Sequence, residues 1–516
     1  MKLTTKRKCL LPWCAAILCI CAALTIGVNA ENGTARAGVT VSIVTEAPAP
    51  GKPLETAVSG DAAGLSYVWT VAGQATDCTA SSYVPGAADY EAFITVALVD
   101  ADGTAVAEDR IFFSRLPVMY IDTDDGSFVE DKWKTVGADV RIDGNARYGA
   151  QYEGRMEIKR RGTGSSLYDK KPYKIKLEKK TDLFGFGKNK HFILLADYLD
   201  PTLLRNAVGY DVSREMGLVA SDWVRVDVVM NGEYRGSYLL GEHLRTGRQF
   251  VDITDWEDLA GDLAKAVAKA NPADFPEGDD ALDDYLSSHL SWMTEPTFTY
   301  EGRAYTVADY ISVPALDDGF LLEFDTGYDR EETYFKTASG LCVDIIKPEF
   351  LGSDPAVLTY VQTLLDDFLA AVASPDGYNE KGQHYTELAD LDSMVAYWLT
   401  LEFLANDDSA SRSRVCYVQN GKIVFGPVWD FDISAGSYRS VVRPRGRAVT
   451  RSFISTVTRQ DLFRDWVKHP EFREAVRVKY MEKRAYFGSL VSAGGIIEAM
   501  SEAQAKKAAA KKPAAK

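Results

Sequence analysis

Polar and apolar residues alternate with a period of two over the first part of the chain. Between residues 31 and about 115, the stretches VTVSI, SYVWTV and AFITVALVD alternate, and the turn sequences PGAAD and DADG separate such runs. Alternation of this kind predicts strands with one buried face. We expect a small all-β, immunoglobulin-like sandwich over residues 31–115 and assign it no chemistry.

From residue 116 to about 490 the pattern mixes strands with helices. The strand-like MEIKRR and PYKIKL precede the helical PTLLRNAVGYDVSREM, and WVRVDVVM turns back at an Asn-Gly pair. Apolar residues at helical spacing predict two further helices, over residues 354–373 and 390–404. An acidic stretch at about 252–310 is interpreted as a surface insertion. Strands mixed with single helices predict an α+β fold, followed by a low-complexity Lys/Ala tail over residues 491–516.

The first 30 residues have the pattern of a secretory signal peptide. Four basic residues precede the apolar run LLPWCAAILCICAALTI, and Val28-Asn29-Ala30 has the small residues of a cleavage site. The run is short for a membrane span, and no other segment is predicted to cross a bilayer. We therefore expect a bacterial protein that is secreted or held at the cell surface.

Composition narrows the classes of partner. Four of the seven cysteines lie in the first 30 residues, so only Cys78, Cys342 and Cys416 remain, which is no disulfide framework. Loss of four basic residues with the signal peptide takes the formal net charge from −16 to −20. Phosphate backbones require a basic face, so we expect no nucleic-acid partner. Divalent cations suit so acidic a chain.

The stretch ANDDSASRSRVCYVQNGKIVFGPVWDFD, residues 405–432, places four aspartates around a predicted β-hairpin with an Asn-Gly turn. A tight hairpin brings its outer ends together, so Asp408 and Asp430 should lie close to each other. Clustered carboxylates repel unless a cation compensates, and their oxygens suit Mg²⁺, Mn²⁺ or Ca²⁺. A metal site is therefore predicted, although a capping aspartate and a turn aspartate are each common alone.

A second stretch, RRGTGSSLYDKKPYKIKL at 160–177, combines a glycine-rich loop with four lysines on or before the next strand. Backbone amides and cations of this kind can cradle phosphates. The loop is neither a Walker A loop nor a dinucleotide fingerprint. An aspartate after a helix, then a hairpin, then a metal-binding aspartate is also the layout of kinase phosphoryl transfer.

Seven stretches together resemble the spore-coat protein H (CotH) kinase family of atypical secreted or coat-associated protein kinases. They are LPVMYIDT, RRGTGSSLYDKKPYKIKL, DYLDPTLLRNAVG, VVMNGEYRGSYLLGEH, GFLLEFD, DIIKPE and the ANDD…WDFD segment, which span residues 116 to about 480 in the order of the family. The resemblance implies a two-lobed, protein-kinase-like domain over residues 116–490. It also implies an enzyme that uses ATP with Mg²⁺ or Mn²⁺ to phosphorylate Ser or Thr of an extracytoplasmic, surface or coat protein.

The resemblance implies a role for individual residues. Asp408 would be the catalytic aspartate, and Asp430 the principal metal ligand with Asp432 in support. The residues expected around the nucleotide phosphates are Lys171 or Lys174, Arg161 and Gly162, with Glu242 as a candidate partner of the lysine. Glu323 and Asp325 either line the same cleft or are solvated strand ends.

One position departs from the family pattern. The family and ordinary kinases place an asparagine five residues after the catalytic aspartate as a further metal ligand, and here that residue is Ser413. A hydroxyl is a poorer ligand, so a weak metal site or a pseudokinase stays open. Downstream, five arginines could dock an acidic or phosphorylated substrate or neutralise nearby aspartates; they are Arg439, Arg443, Arg445, Arg447 and Arg451.

Two alternatives to the kinase remain. A non-catalytic surface or coat assembly protein would keep the fold and bind a protein, cell-wall or coat partner, and Ser413 favours it. A glycoside hydrolase would use paired acids but would leave the lysine strand without a role. The five histidines lack the spacing of a zinc site or of a catalytic triad.

Overall fold

The computed structural model describes residues 38–162, 164–247, 250–325, 334–349, 355–406, 408–435 and 461–501. The predicted signal peptide, Asp407, the arginine-rich segment and most of the Lys/Ala tail lie outside the described residues. The expectations for them stay predictions. Within the described ranges the fold is a mixture of helices and strands, as the sequence predicts.

The N-terminal part is all-β. Its strands are β1 (Thr40–Ile43), β2 (Leu54–Ser59), β3 (Ser66–Val71), β4 (Gln74–Ala75), β5 (Ser82–Tyr83), β6 (Ala92–Val99) and β7 (Ala105–Phe113). They form one sheet in the order β1-β2-β5 and another in the order β4-β3-β6-β7. Alternate residues of both sheets meet in one core around the buried Trp69. The immunoglobulin-like topology stays a prediction.

The next seven strands close into a barrel. They are β8 (Val118–Thr123), β9 (Val136–Asp143), β10 (Ala150–Arg160), β11 (Tyr173–Asp182), β12 (Lys188–Leu195), β13 (Trp223–Met230) and β14 (Glu233–Glu242), with helices α1 (Asn145–Tyr148) and α2 (Arg205–Glu215) between them. The order around the barrel is β10-β11-β12-β14-β13-β8-β9. On β11, Tyr173, Ile175 and Leu177 are buried in the barrel core, so the lysines between them lie on the outer face.

The all-β part is fixed to the barrel through Asp227 on β13. Ser114 Oγ donates a hydrogen bond to one carboxylate oxygen of Asp227 at 2.5 Å, and the Tyr234 hydroxyl donates to the other at 3.0 Å. Phe112 stacks on Tyr234 with ring centroids 4.3 Å apart. These contacts hold the two parts together where the chain passes between them.

The C-terminal part combines a five-stranded antiparallel sheet with most of the helices. Its elements are α3 (Trp256–Ala270), α4 (Asp280–Ser288), β15 (Thr297–Tyr300), β16 (Arg303–Thr306), β17 (Phe320–Phe324), β18 (Tyr334–Lys336), β19 (Cys342–Lys347), α5 (Pro355–Ala373), α6 (Tyr385–Leu388), α7 (Leu391–Phe403), β20 (Arg414–Gln419), β21 (Lys422–Phe425) and α8 (Pro470–Val491). The sheet order is β18-β19-β17-β20-β21. The two predicted helices and the predicted hairpin are confirmed as α5, α7 and β20–β21.

The acidic stretch at 252–310 is more than the surface insertion that its composition suggests. Trp256, Leu263, Leu282 and Trp292 are fully or almost fully buried, and they belong to the same core as α5 and α7. Apolar residues recur at helical spacing between the acidic ones, so α3 and α4 each bury one face. The interpretation as a surface insertion was therefore wrong for these helices.

Helix α5 is long and apolar enough to cross a membrane by length and composition. The sequence did not single it out, and a core helix of a globular domain passes the same test. Val361, Leu365 and Phe368 are fully buried in the C-terminal core. This face accounts for the apolar character of the helix.

Candidate active site

A cleft of about 520 Å³ lies where the barrel meets the C-terminal sheet. Its walls come from the glycine-rich loop after β10, the segment after β12, the first turn of α2, the end of β17, the loop after α7 and the loop after β21. Asp408, Asp430 and Asp432 line it together, as the hairpin geometry predicts for the first two. Glu323 and Asp325 line it as well, so the first of their two interpretations is the observed one.

A single asparagine joins the two aspartate loops. Asn406 Oδ1 accepts a hydrogen bond from the backbone N–H of Asp408 at 2.9 Å, and Asn406 Nδ2 donates to the backbone oxygen of Asp430 at 3.1 Å. Ser413 Oγ donates to Asp408 Oδ2 at 2.8 Å. Asp408 is thus oriented from both its backbone and its carboxylate.

Burial is the first cause of raised pKa values in all three carboxylates. It raises the pKa of Asp408 to about 7, that of Asp430 to about 8 and that of Asp432 to about 6. Mutual repulsion adds to the effect, since Asp430 raises the pKa of Asp408 and Asp432 raises that of Asp430. Near neutral pH the cluster therefore holds protons that ordinary carboxylates would have lost.

Three residues lining the cleft have left-handed backbone conformations that are uncommon outside glycine. Asp197 has φ 48°, Ser413 has φ 55° and Asp430 has φ 65°. Such conformations cost free energy and persist where the surrounding contacts fix them, often at functional sites. Their concentration here indicates that the geometry of the cleft is maintained against local preference.

Two arginines supply positive charge to the cleft. The Arg161 guanidinium lies 4.8 Å from the centroid of the Trp429 ring, and its charge partly offsets the rise in the pKa of Asp430. Arg412 acts in the same way on Asp408. Neither arginine forms an ion pair with any described residue. The sequence pointed to Arg161 but missed Arg412, whose only signal is its position four residues after Asp408.

The structure places the other predicted phosphate-binding residues differently from one another. Gly162 lines the cleft with φ 83°, and a Cβ atom there would lie 2.3 Å from Ser165 Oγ, so the turn requires glycine. Among the described residues that line the cleft, neither Lys171 nor Lys174 is found. The Lys171 ammonium lies 3.9 Å from Glu130, and Lys174 is half-buried opposite Lys159 on the outer face of the barrel.

Glu242 does not pair with either lysine. Arg245 Nη2 donates to its carboxylate at 2.9 Å, and burial raises the pKa of Glu242. Strand β12 lies between β11 and β14, so Lys174 and Glu242 are separated by a whole strand. The predicted lysine–glutamate pair is therefore corrected to an arginine–glutamate pair three residues apart.

Three residues that sequence reasoning left without a role form a buried network at the back of the cleft. Arg225 Nη1 donates to Asp197 Oδ2 at 2.7 Å, and Asn206 Nδ2 donates to Asp197 Oδ1 at 2.7 Å. Asn206 Oδ1 then accepts from the backbone N–H of Phe431 at 2.7 Å. DYLDPTLLRNAVG contained two of these residues, but its spacing gave no sign of the contact with residue 431.

The donor set fits a cation that is completed by a phosphate ligand. No three acidic, histidine or cysteine side chains among the described residues are gathered into a complete metal cage. Mg²⁺ commonly takes only one or two protein carboxylates and fills its remaining positions with water and substrate phosphates. Asp430 and Asp432 could supply those carboxylates, and Ser413 is already bound to Asp408.

The fold and the cleft define a mixed α+β protein with an acidic site between a barrel and a helix-backed sheet. The family model described as CotH kinase protein matches residues 158–280 and 351–509, which together make up more than half of the chain. The chain belongs to the CotH kinase family, and the resemblance seen in the sequence is confirmed. No curated protein matches it. Asp408, Ser413, Asp430 and Asp432 all fall in the second matched block, and Arg161 falls in the first.

Proposed function

We propose that the protein is a metal-dependent protein kinase that transfers the γ-phosphate of ATP to Ser or Thr of a protein outside the cytoplasm. The observation that carries the proposal is one cleft in which Asp408 and Asp430 face two arginines and a glycine-rich loop. Carboxylates for a cation and guanidinium groups for phosphate are the two sets of groups that phosphoryl transfer requires. The barrel and the helix-rich C-terminal part would be the two lobes of a kinase-like domain.

Asp408 would act on the acceptor hydroxyl. Ser413 holds Oδ2 of Asp408, so Oδ1 is the oxygen that would accept the proton of the attacking Ser or Thr. A pKa of about 7 suits a general base at neutral pH, because the basic form is present and the carboxylate still has a useful proton affinity. Asn406 keeps this loop in register with Asp430.

Asp430 and Asp432 would hold Mg²⁺ or Mn²⁺, which offsets the negative charge of the phosphates when bound. Arg161 and Gly162 would contact the phosphates from the opposite wall, and Arg412 would add a second guanidinium near the transferred group. Lys171 and Lys174 remain proposed nucleotide contacts only if the nucleotide extends beyond the described lining of the cleft.

The proposed location is outside the cytoplasm, in solution or at the cell surface. The support is the signal-peptide pattern of the first 30 residues, and the coat association for which the family is named agrees with it. A protein acceptor, with cell-wall or coat components as further partners, follows from the same reasoning. The N-terminal all-β part would then be a targeting or spacing module.

The test is phosphate transfer from ATP labelled at the γ-phosphate by residues 31–516, with Mg²⁺ or Mn²⁺, onto the protein itself and onto a generic acceptor. Asp408→Ala and Asp430→Ala should abolish incorporation, while Asp122→Ala, an exposed aspartate on β8, should not change it. Absence of transfer together with absence of nucleotide binding by calorimetry would overturn the kinase and favour the assembly protein, which the serine at position 413 supports.

A further inference from the structure

We infer that Asn206 is a positioning residue that sets the orientation of the Asp430–Asp432 loop. The inference rests on the proposed function, because it assigns a role in the site that would bind the metal and the nucleotide. Asn206 is 2% exposed, lies in the first turn of α2 and lines the cleft. Its amide contacts the backbone between the two aspartates, at Phe431.

The orientation of the Asn206 amide is fixed by its neighbours. Arg225 donates to Asp197, so the carboxylate of Asp197 is held as an acceptor for Asn206 Nδ2. The amide oxygen of Asn206 must then face the other way, toward the N–H of Phe431. The chain Arg225–Asp197–Asn206–Phe431 is therefore a run of hydrogen bonds with a single direction.

Helix α2 also holds the same loop at other points. Asp200 Oδ2 accepts from the backbone N–H groups of Leu204 and Arg205, each at 2.9 Å, which fixes where the helix begins. Arg205 Nε donates to the backbone oxygen of Ser434 at 2.9 Å. A Cβ atom at Gly209 would overlap the Phe431 ring at 2.2 Å, so the ring lies directly on the helix. Asn206 is the member of this set that lies between the two carboxylates.

This contact also joins the two blocks that match the family model. Asn206 lies in the block 158–280 and Phe431 in the block 351–509. Residues that orient metal-binding carboxylates without touching the metal typically change metal affinity or activity about 10- to 100-fold when they are removed. Loss of Asn206 should therefore weaken the site without removing any of its ligands.

A reciprocal exchange of Asn206 and Asp197 tests the direction of the network. In Asn206→Asp two acceptors would face each other, and in Asp197→Asn one donor would face another. In the double variant Asn206→Asp/Asp197→Asn the carboxylate at 206 can accept from Phe431 and from the amide at 197, whose oxygen can accept from Arg225. The double variant has the composition and charge of the wild type.

The measurements are Mn²⁺ affinity by electron paramagnetic resonance, KM and kcat for MgATP, and Tm. We expect Asn206→Ala and Asn206→Asp to weaken Mn²⁺ binding or kcat/KM about 10- to 100-fold, and the double variant to recover about tenfold over Asn206→Asp. Asn189→Ala is the matched control. Asn189 is similarly buried and makes two backbone hydrogen bonds on β12 outside the cleft, so it should lower Tm without changing Mn²⁺ affinity.

The outcomes separate this inference from the kinase proposal. A wild type that transfers phosphate, with Asn206 variants that bind Mn²⁺ and turn over normally, overturns the inference alone. A wild type that binds Mn²⁺ without transferring phosphate, with weakened binding in the Asn206 variants and recovery in the double variant, supports the inference and overturns the kinase. If the wild type binds neither Mn²⁺ nor nucleotide, both are overturned.

Discussion

Two groups of buried carboxylates line the same cleft, and their surroundings differ. Asp197 is 4% exposed and receives hydrogen bonds from the Arg225 guanidinium and the Asn206 amide. Asp408, Asp430 and Asp432 form no ion pair with a described residue, and their pKa values are raised. The first carboxylate is compensated within the protein, whereas the other three need a proton or a cation from solution.

This difference assigns different roles to residues of one type. A buried ion pair is expensive to break but does little chemistry, since both charges are already satisfied. Uncompensated carboxylates destabilise the free protein and gain free energy when a cation binds. The comparison therefore predicts that changes in the first group act on stability and changes in the second act on activity.

The largest expected effect is on activity, from Asp408→Asn. The amide keeps the shape of the side chain but cannot accept the proton of the acceptor hydroxyl, so phosphate transfer should fall about 10²- to 10⁴-fold. Tm should stay the same or rise, because one of several repelling buried charges is removed. Rates within twofold of the wild type would show that Asp408 is not the base.

The largest expected effect on stability comes from Arg225→Met. The substitution leaves the Asp197 carboxylate buried without its cation, which should cost about 3–5 kcal/mol. Thermal unfolding followed by circular dichroism measures the loss. Arg155→Met is the control, since Arg155 is half-exposed and its pairs with Asp124 and Asp139 should be worth about 1 kcal/mol or less. Equal losses in the two variants would contradict the comparison.

The response to cations and pH should be of intermediate size. The folded-state pKa values of about 6 to 8 lie above the value of about 3.9 expected for unfolded aspartate, so the folded protein without metal binds more protons. Its stability should therefore fall as pH rises from about 4 to about 8.

Mg²⁺ should reverse this fall, because it takes the place of the protons. At a concentration 100 times its Kd, it should add about 2.7 kcal/mol, and less below pH 6, where protons compete. Differential scanning calorimetry at pH 5 and pH 8, with Mg²⁺ and with EDTA, measures the effect. Asp430→Asn should remove most of it. A stabilisation by Mg²⁺ that is equal at both pH values would place the cation elsewhere.

Local sequence signals predicted one side of the site well. The Asn-Gly turn and the alternating residues around it define the β20–β21 hairpin, and the hairpin alone brings Asp408 toward Asp430. The carboxylate cluster could therefore be inferred from a single stretch of chain.

The other side of the site depends on contacts between distant parts of the sequence. Asn206 and Phe431 are 225 positions apart, and their contact follows from how α2 docks on the loop rather than from any motif. The lysine strand was misplaced for the same reason. Alternation shows that Lys174 lies outside the barrel, but not which part of the outer face meets the cleft.

The smallest expected effect comes from Ser413→Asn, which sharpens the comparison from the side of the uncompensated group. Ser413 has a left-handed backbone that asparagine adopts more readily, so stability should change by about 1 kcal/mol or less, in the favourable direction. An amide oxygen is also a better metal ligand than a hydroxyl, and kcat/KM should rise by about tenfold or less. Ser413→Gly separates the two causes, since it relieves the backbone without adding a ligand. If Ser413→Gly raises activity as much as Ser413→Asn, then the serine limits the site through its backbone and not through its side chain.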